Sequence, residues 1–388
     1  MLRSALSVTV AVLTLFAAVG RSQVGDAPPA LPGIAVGGPG ALVVNDQGLV
    51  TYLSRARAGQ RAGISTLELP RKAVQAAATY ESAFVLLDDG SVMGWGSAID
   101  VPAPSQPSVP DLPAGLPPPA LRPRPLIGLS DAVQIDANAN HGVALRRDGT
   151  VLAWGNAQFG HRGYGDARPK LTAVSVVPGV SDIVQVDTAL EHTLALSRDG
   201  RVFAWGFDGN GALGSGALGG PRAAAVVEGL TDVVAISAGL NASFALQRDG
   251  ALFAWGSNTS AMIGNGQRPG APAEPGGTVP TPSRVALPGK VTQIAAGEGH
   301  AIALLADGTM WAWGFDGYGQ VGVGGGGQYQ LKPVAIKAPA RVRRVLATGY
   351  HSFAVDADGR MWRWGGGLPP GRLEGDVQRR PVPFAAGQ

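Results

Sequence analysis

The sequence predicts an all-β fold, a seven-bladed β-propeller with four antiparallel strands per blade, and three observations carry that expectation. A unit of about fifty residues recurs along most of the chain. Each unit centres on an Asp-Gly pair followed at a fixed offset by Trp-Gly. On both sides of Asp-Gly, large apolar residues alternate with small ones, the period-two signature of a hairpin.

Six copies are clear: Asp89-Gly90, Asp148-Gly149, Asp199-Gly200, Asp249-Gly250, Asp307-Gly308 and Asp358-Gly359. Their partners are Trp95-Gly96, Trp154-Gly155, Trp205-Gly206, Trp255-Gly256, Trp313-Gly314 and Trp364-Gly365. Successive pair glycines lie 59, 51, 50, 58 and 51 residues apart, and a weaker seventh copy, Asn45 to Gly48, precedes Gly90 by 42. In the strand after each pair, bulky residues sit two apart, as in Phe203/Trp205 and Trp311/Trp313. The residue between them is Gly94, Ala153, Ala204, Ala254 or Ala312, with Arg363 in the last copy. One face is therefore large and the other small, which suits sheets stacked around an axis.

Upstream of each hairpin lies a short apolar strand such as Ile183 to Val186 or Val233 to Ile236, and further upstream a fourth, such as Pro333 to Ile336. Counted this way, the first unit lacks its first strand and the tail Arg380 to Phe384 is left over. Pairing of the N-terminal strand Ile34 to Gly37 with this C-terminal tail is the expected closure of the ring, and it would remove two open edges.

The 388 residues include 58 Gly, 30 Pro and no Cys, with 45% hydrophobic and only 15% charged residues. Such a chain favours tight turns over long helices and has no disulfide or thiolate metal site. The formal net charge of +3 comes with no basic cluster that could track a phosphate backbone, so nucleic acid is not an expected partner. Arg3 followed by the apolar stretch from Ala5 to Ala18 reads as a secretory signal at 1–20, with cleavage after Gly20. The stretch is short for a membrane span, so stable membrane insertion is not expected after cleavage. Residues 21–32 read as a linker and 33–388 as one propeller, a monomer located outside the cytoplasm, secreted or periplasmic. Residues 101–125 hold ten prolines where the second unit should turn back, and read as a surface loop.

Four histidines share one register, eight residues before the pair glycine: His141, His192, His300 and His351. Gly40, Ser82 and Ala242 fill it elsewhere. A histidine ring at the channel mouth could bind metal or move protons. The competing reading is a repeat residue that tethers a loop, and its replacement by Ser82 and Ala242 favours this one. The residues just before that register vary most: Glu81, Asn140, Glu191, Asn241, Gly299 and Tyr350. Symmetry gathers them on one end face, so Asn140, His141, Glu191, His192, Asn241, Glu298, His300, Tyr350 and His351 are the candidate binding residues. The loops after Trp-Gly, 207–214 and 315–322, are the rival surface.

Two Gly-x-Gly-x-x-Gly matches, starting at Gly209 and Gly317, follow Trp-Gly and open no helix, so they read as repeat turns rather than a nucleotide fingerprint. Asp88-Asp89-Gly90 and Asp356 to Gly359 read as hairpin turns rather than calcium loops. No cofactor is called for.

The pattern Gly-x-x-His-(Ser/Thr)-x-Ala-Leu, then Asp-Gly-x-x-x-x-Trp-Gly, then Gly-Gln-x-Gly resembles the repeat of the regulator of chromosome condensation family. The best copy runs from Gly297-Glu298-Gly299-His300 through Asp307-Gly308 and Trp313-Gly314 to Gly319-Gln320-Val321-Gly322. The resemblance covers roughly residues 33 to 386 and implies a seven-bladed propeller. The family's members include nuclear exchange factors for a small GTPase and secreted bacterial propellers, among them proteinaceous β-lactamase inhibitors. The export signal and the Arg-, Ala-, Gly- and Pro-rich, Lys-poor composition favour the bacterial secreted branch. The expected function is protein binding through one end face, inhibitor-like or scaffold-like. The alternatives are a propeller lyase or hydrolase, with Glu191-His192 or Glu298 and His300 at the channel mouth, and a guanine-nucleotide exchange factor.

Export is tested by N-terminal sequencing of secreted material, which should find the mature chain beginning near Arg21. An intact Met1 in a cytoplasmic fraction would overturn it.

Overall fold

The chain forms seven four-stranded sheets, the blades of a β-propeller. The structure, a computed structural model, describes residues 34–37, 40–44, 47–54, 64–79, 82–96, 123–138, 141–155, 158–165, 174–270, 277–325, 327–337, 341–366 and 377–383. The expected signal (1–20), the linker (21–32) and 101–122 of the proline-rich stretch lie outside them. Among the described residues every regular element is a strand, and no helix is long and apolar enough to cross a membrane.

Blade 1 comprises β1 (Ile34–Gly37), β2 (Gly40–Val44), β3 (Val50–Ser54) and β4 (Ile64–Leu67). Blade 2 comprises β5 (Ala73–Ala78), β6 (Ser82–Leu87), β7 (Val92–Gly96) and β8 (Arg124–Pro125). Blade 3 comprises β9 (Ala132–Asn138), β10 (His141–Arg146), β11 (Val151–Gly155) and β12 (Ser175–Val176). Blade 4 comprises β13 (Ile183–Thr188), β14 (His192–Ser197), β15 (Val202–Phe207) and β16 (Pro221–Val226). Blade 5 comprises β17 (Val233–Ala238), β18 (Ala242–Gln247), β19 (Leu252–Ser257) and β20 (Thr278–Arg284). Blade 6 comprises β21 (Val291–Ala296), β22 (His300–Leu305), β23 (Met310–Phe315) and β24 (Tyr329–Ile336). Blade 7 comprises β25 (Val342–Thr348), β26 (His351–Asp356), β27 (Met361–Gly365) and β28 (Gln378–Pro383).

The Asp-Gly turns form as the sequence predicts. Gly200 has φ +83°, a left-handed conformation that glycine adopts without strain. In several copies the preceding aspartate caps the turn, as where Thr150 N–H donates to Asp148 Oδ1 at 2.9 Å.

The expected closure of the ring is corrected. β28 pairs with β27 and β1 with β2, so each sheet uses only consecutive strands and the terminal strands share none. The fourth strand closes the blade it follows rather than opening the next, with Phe203 opposite Val226. The reason is local: after Trp-Gly the chain turns back against the strand it has just left, satisfying that strand's free backbone groups at once. The proline-rich stretch ends the same way. Arg124 and Pro125 form β8 on an outer edge, where the missing proline N–H costs no ladder bond.

Six apolar clusters fill the six junctions from blade 1 through blade 7. In each, the large face of one blade meets the small face of its predecessor: Trp205 on Ala153, Trp255 on Ala204, Trp313 on Ala254 and Trp364 on Ala312. Those four indoles are fully buried, and each donates Nε1–H to a loop carbonyl of the preceding blade. The acceptors are His161, Ala212, Met262 and Gln320, at 2.8, 2.9, 2.7 and 2.9 Å. Trp95 and Trp154 are also buried, but among the described residues their indole nitrogens have no acceptor. They follow blades 1 and 2, where the segments after the third strand, 55–63 and 97–122, lie outside the described residues.

Truncation of Trp255 to Ala should cost about 3–5 kcal/mol in chemical denaturation. Trp255→Phe, which keeps most of the ring but loses the N–H donor, should cost roughly 1–3 kcal/mol. A loss below about 1 kcal/mol for Trp255→Ala would contradict the packing described.

Candidate functional site

Strand direction decides which loops share an end of the propeller. The turn from the first to the second strand of a blade and the loop from the third to the fourth lie at one end. The Asp-Gly hairpins and the crossings to the next blade lie at the other. The two surfaces that the sequence offers as rivals are therefore one face. Backbone bonds join them: Phe207 N–H donates to Glu191 O at 2.8 Å, Ser257 N–H to Asn241 O at 2.8 Å and Phe315 N–H to Gly299 O at 2.7 Å. Gly206 permits this approach, since it has φ +113° and a Cβ there would stand 2.4 Å from Glu191 O.

The histidine register lies beneath this face. His141, His192 and His300 are buried, so their place among surface contacts is corrected. Each reaches the next blade: His192 Nε2 lies 2.8 Å from Ser243 Oγ, His300 Nε2 2.8 Å from Ser352 Oγ, and His141 Nε2 3.3 Å from Thr193 Oγ1. Ser243 and Ser352 donate their protons to Ala212 O and Gln320 O at 2.8 and 2.7 Å, the carbonyls that also receive the Trp255 and Trp364 indoles. Each serine oxygen is then left to accept, which places a proton on Nε2 of His192 and His300. Burial pushes both down to about 3, with His161 adding to the effect at His192 and His351 at His300. His141 is also held well below the usual range by burial, then by His161 and His192.

The gaps in the register follow the same logic. Ser82 precedes a blade that offers Gly142, and Ala242 precedes one that offers Ala301, so histidine and hydroxyl are lost together. His351 is the exception. It is half-buried, and the corresponding residue in blade 1 is Ala41. Among the described residues no three His, Cys, Asp or Glu are arranged to hold a metal ion.

Two inter-blade devices escaped the sequence reading. Gln75, Gln134, Gln185 and Gln293 each donate to a backbone carbonyl and accept from the N–H of the same residue on the next inner strand: Ile135, Val186, Ile236 and Val345. Their signal was available, for each lies fifteen residues before its hairpin glycine. The second is a carboxylate pair, Asp136 and Asp187, on adjacent inner strands. Asp136 Oδ2 accepts from Thr188 N–H at 2.6 Å and Thr188 Oγ1 at 2.9 Å. Burial pushes Asp136 up to about 6. Burial, and then the Asp136 charge, raise Asp187 well above the carboxylate range. Two carboxyls this close keep a proton between them.

The remaining candidates are at or near the surface. Glu191 accepts from Asn210 Nδ2 at 3.0 Å, tying the turn before His192 to the loop after Trp205; burial raises its pKa against that bond. Asn241 and Glu298 are half-buried on the same face, whereas Asn140 lies outside the described residues. Tyr350 joins a group that the sequence did not assemble. Phe315 meets Tyr318, Tyr329 and Tyr350 with ring centroids 5.8, 5.6 and 6.2 Å apart, and Tyr318 lies 5.1 Å from Tyr350. All four are half-buried, at the ends of blades 6 and 7.

The two Gly-x-Gly-x-x-Gly segments are turns that seal blade junctions. Gly214 has φ +70°, and a Cβ there would stand 2.9 Å from the Trp255 indole nitrogen. Asp89 and Asp356 are occupied as turn acceptors for Ser91, Asp358 and Arg360 N–H groups.

Residues 116–369 match the family model of the RCC1-like domain. The chain belongs to that family. RCC1-like relatives include the ultraviolet-B receptor UVR8 of Arabidopsis thaliana, 28% identical over 238 residues, 60% of this chain and 53% of UVR8. The mouse regulator of chromosome condensation is 28% identical over 239 residues, 61% of this chain and 42% of its own length. The chain thus spans about half or less of the curated relatives it matches. Among solved structures, yeast RCC1 (Prp20) bound to Kap60 is 28% identical with a TM-score of 0.64, covering 80% of this chain and 74% of that one. Human WBSCR16, 23% identical with a TM-score of 0.67, covers 86% of this chain and 87% of its own and shares the fold. Likeness to RCC1-like propellers points to a protein-interaction or regulatory role.

The carboxylate pair and the histidines have opposite effects on stability as pH changes. The histidines' folded pKa values are depressed, so their contribution is present above about 6.5 and is lost as pH falls through about 3. The aspartates' are raised, so theirs is present below about 4 and is lost as pH rises through about 6. Asp187→Asn mimics the protonated pair, so its melting temperature relative to wild type should climb as pH rises through about 6. A difference that stays constant between pH 4 and 8 would contradict the shared proton.

Proposed function

We propose that the protein is an extracytoplasmic protein-interaction module, inhibitor-like or scaffold-like, that engages a protein partner through the end face described above. The observation that carries this reading is the aromatic group of Phe315, Tyr318, Tyr329 and Tyr350 at the rim of that face. Rigid aromatic rings with polar edges dominate interface hot spots, and a broad end face can supply the roughly 800 Å² per partner of an ordinary interface. Glu191 with Asn210, and Glu298 near Tyr350, supply the polar rim. Yeast Prp20, a relative in sequence and fold, has been solved bound to Kap60 and described for its binding to Gsp1p and histones. Kinship with bacterial secreted propellers, including β-lactamase inhibitors, rests on the resemblance noted in the sequence. The extracytoplasmic location rests on residues 1–20.

The enzyme alternative loses its base on this geometry. His192 and His300 are buried, with Nε2 committed to a serine hydroxyl. The exchange-factor alternative rests on family membership and conflicts with export.

The test is affinity capture from the producing cell's envelope and medium with the mature chain as bait, followed by binding measurements on the identified partner. Tyr350→Ala and Glu191→Ala should each weaken binding at least tenfold, about 1.4 kcal/mol. Arg248→Ala, on the opposite hairpin face, should have no effect. Loss of binding in Arg248→Ala with normal binding by the other two would overturn the assignment.

A further inference from the structure

The loop after Trp-Gly repeats one design in blades 4, 5 and 6. Three residues after the tryptophan stands Asp208, Asn258 or Asp316, and eight after it stands Leu213, Ile263 or Val321. The side-chain oxygen of the first accepts the backbone N–H of the second, at 3.2, 3.3 and 2.9 Å. The second buries its aliphatic side chain in the junction with the next blade.

Blade 3 departs at both positions. The sequence has Ala157 in place of the capping oxygen and Arg162 in place of the buried aliphatic. Arg162 is nevertheless 2% exposed, and its Nε and Nη2 atoms are sealed from solvent with no hydrogen-bond partner. Among the described residues no carboxylate forms an ion pair with it. The same loop in blade 4 shows how an arginine is otherwise accommodated, with Arg222 Nε 2.8 Å from buried Asp208. A guanidinium cannot shed its charge in a protein, so burial without a counter-ion is unfavourable.

We propose that the junction between blades 3 and 4 is a binding site for a small oxyanion of the phosphate or sulfate kind, recognised by Arg162. The Nε and Nη2 donors lie side by side in the plane of the guanidinium and match two oxygens of one anion, the pairing for which arginine is suited. Two residues on, the chain is back at the surface at Tyr164, which is 49% exposed, so the site is one layer beneath the end face. A bound anion would tie blade 3's loop to blade 4 where an aliphatic side chain does so in blades 4, 5 and 6.

The test is thermal denaturation and calorimetric titration of the mature chain with inorganic phosphate, with sulfate and acetate in parallel and chloride at matched ionic strength. Phosphate should raise the melting temperature saturably, by roughly 3–6 °C at a hundred times its dissociation constant. Acetate, with a trigonal carboxylate, should act more weakly than phosphate. Arg162→Leu, which installs the residue of blade 4, should lose the response and should melt at least as high as wild type in chloride alone. Equal responses in wild type and Arg162→Leu, or no saturable response in wild type, would overturn the site. An Arg162→Leu chain that folds but melts well below wild type in chloride would also overturn it, because the arginine would then be satisfied internally.

Discussion

The structure depends on one hydrogen bond repeated at a fixed pitch, the indole N–H of Trp-Gly donated to a loop carbonyl of the preceding blade. Burying an indole takes a large apolar ring out of water, but its N–H must find an acceptor in the same dry junction. The loop after the previous Trp-Gly supplies that acceptor, and the two features are therefore needed as a pair. From His161 to Trp364 the bond is made at four successive junctions. Ahead of Trp95 and Trp154 the corresponding segments lie outside the described residues, and among the described residues those two nitrogens have no acceptor. Among the described residues the latch joins blades 3 to 7, while apolar contact and, between blades 2 and 3, the Gln75 bridge to Ile135 hold the first two junctions.

The buried histidines belong to the same latch. Ser243 and Ser352 bridge an imidazole to the carbonyl that receives the tryptophan, so two donors of one blade, the hydroxyl and the indole, converge on one carbonyl of the blade before it, and the imidazole joins through the hydroxyl. This fixes the turn before the histidine and the loop after Trp-Gly relative to the next blade. A rigid scaffold under a variable surface is what a binding face requires. Glu191 precedes His192, whose contact with Ser243 holds the turn to the next blade, and its own carboxylate adds a bond to Asn210.

Much of the fold was legible because its signals are local. Asp-Gly between alternating runs specifies a hairpin whatever surrounds it, and bulky residues two apart specify a face. The assignment of the fourth strand was not local. The segment at 221–226 lies between two hairpins, and the period-two pattern does not say which it joins. Chain reversal after Trp-Gly decided it, and the same choice removed the expected pairing of the terminal strands. The candidate site was legible in part. The variable positions were found, but the aromatic group was not, since Phe315, Tyr318, Tyr329 and Tyr350 come from three different segments.

By itself the sequence determined the number of blades, the turns between strands, the tryptophans of the core and the register of the histidines. Each follows from backbone sterics or from burial pattern within a dozen residues. Only the tertiary structure decided what the histidines touch, that two sets of loops form one face, and that Arg162 is buried without a partner. These are contacts between residues one repeat apart, such as His192 with Ser243 across 51 positions. In a repeat protein every blade offers the same kinds of partner at that distance. The stacking of one blade on the next selects among them, and no local pattern encodes it.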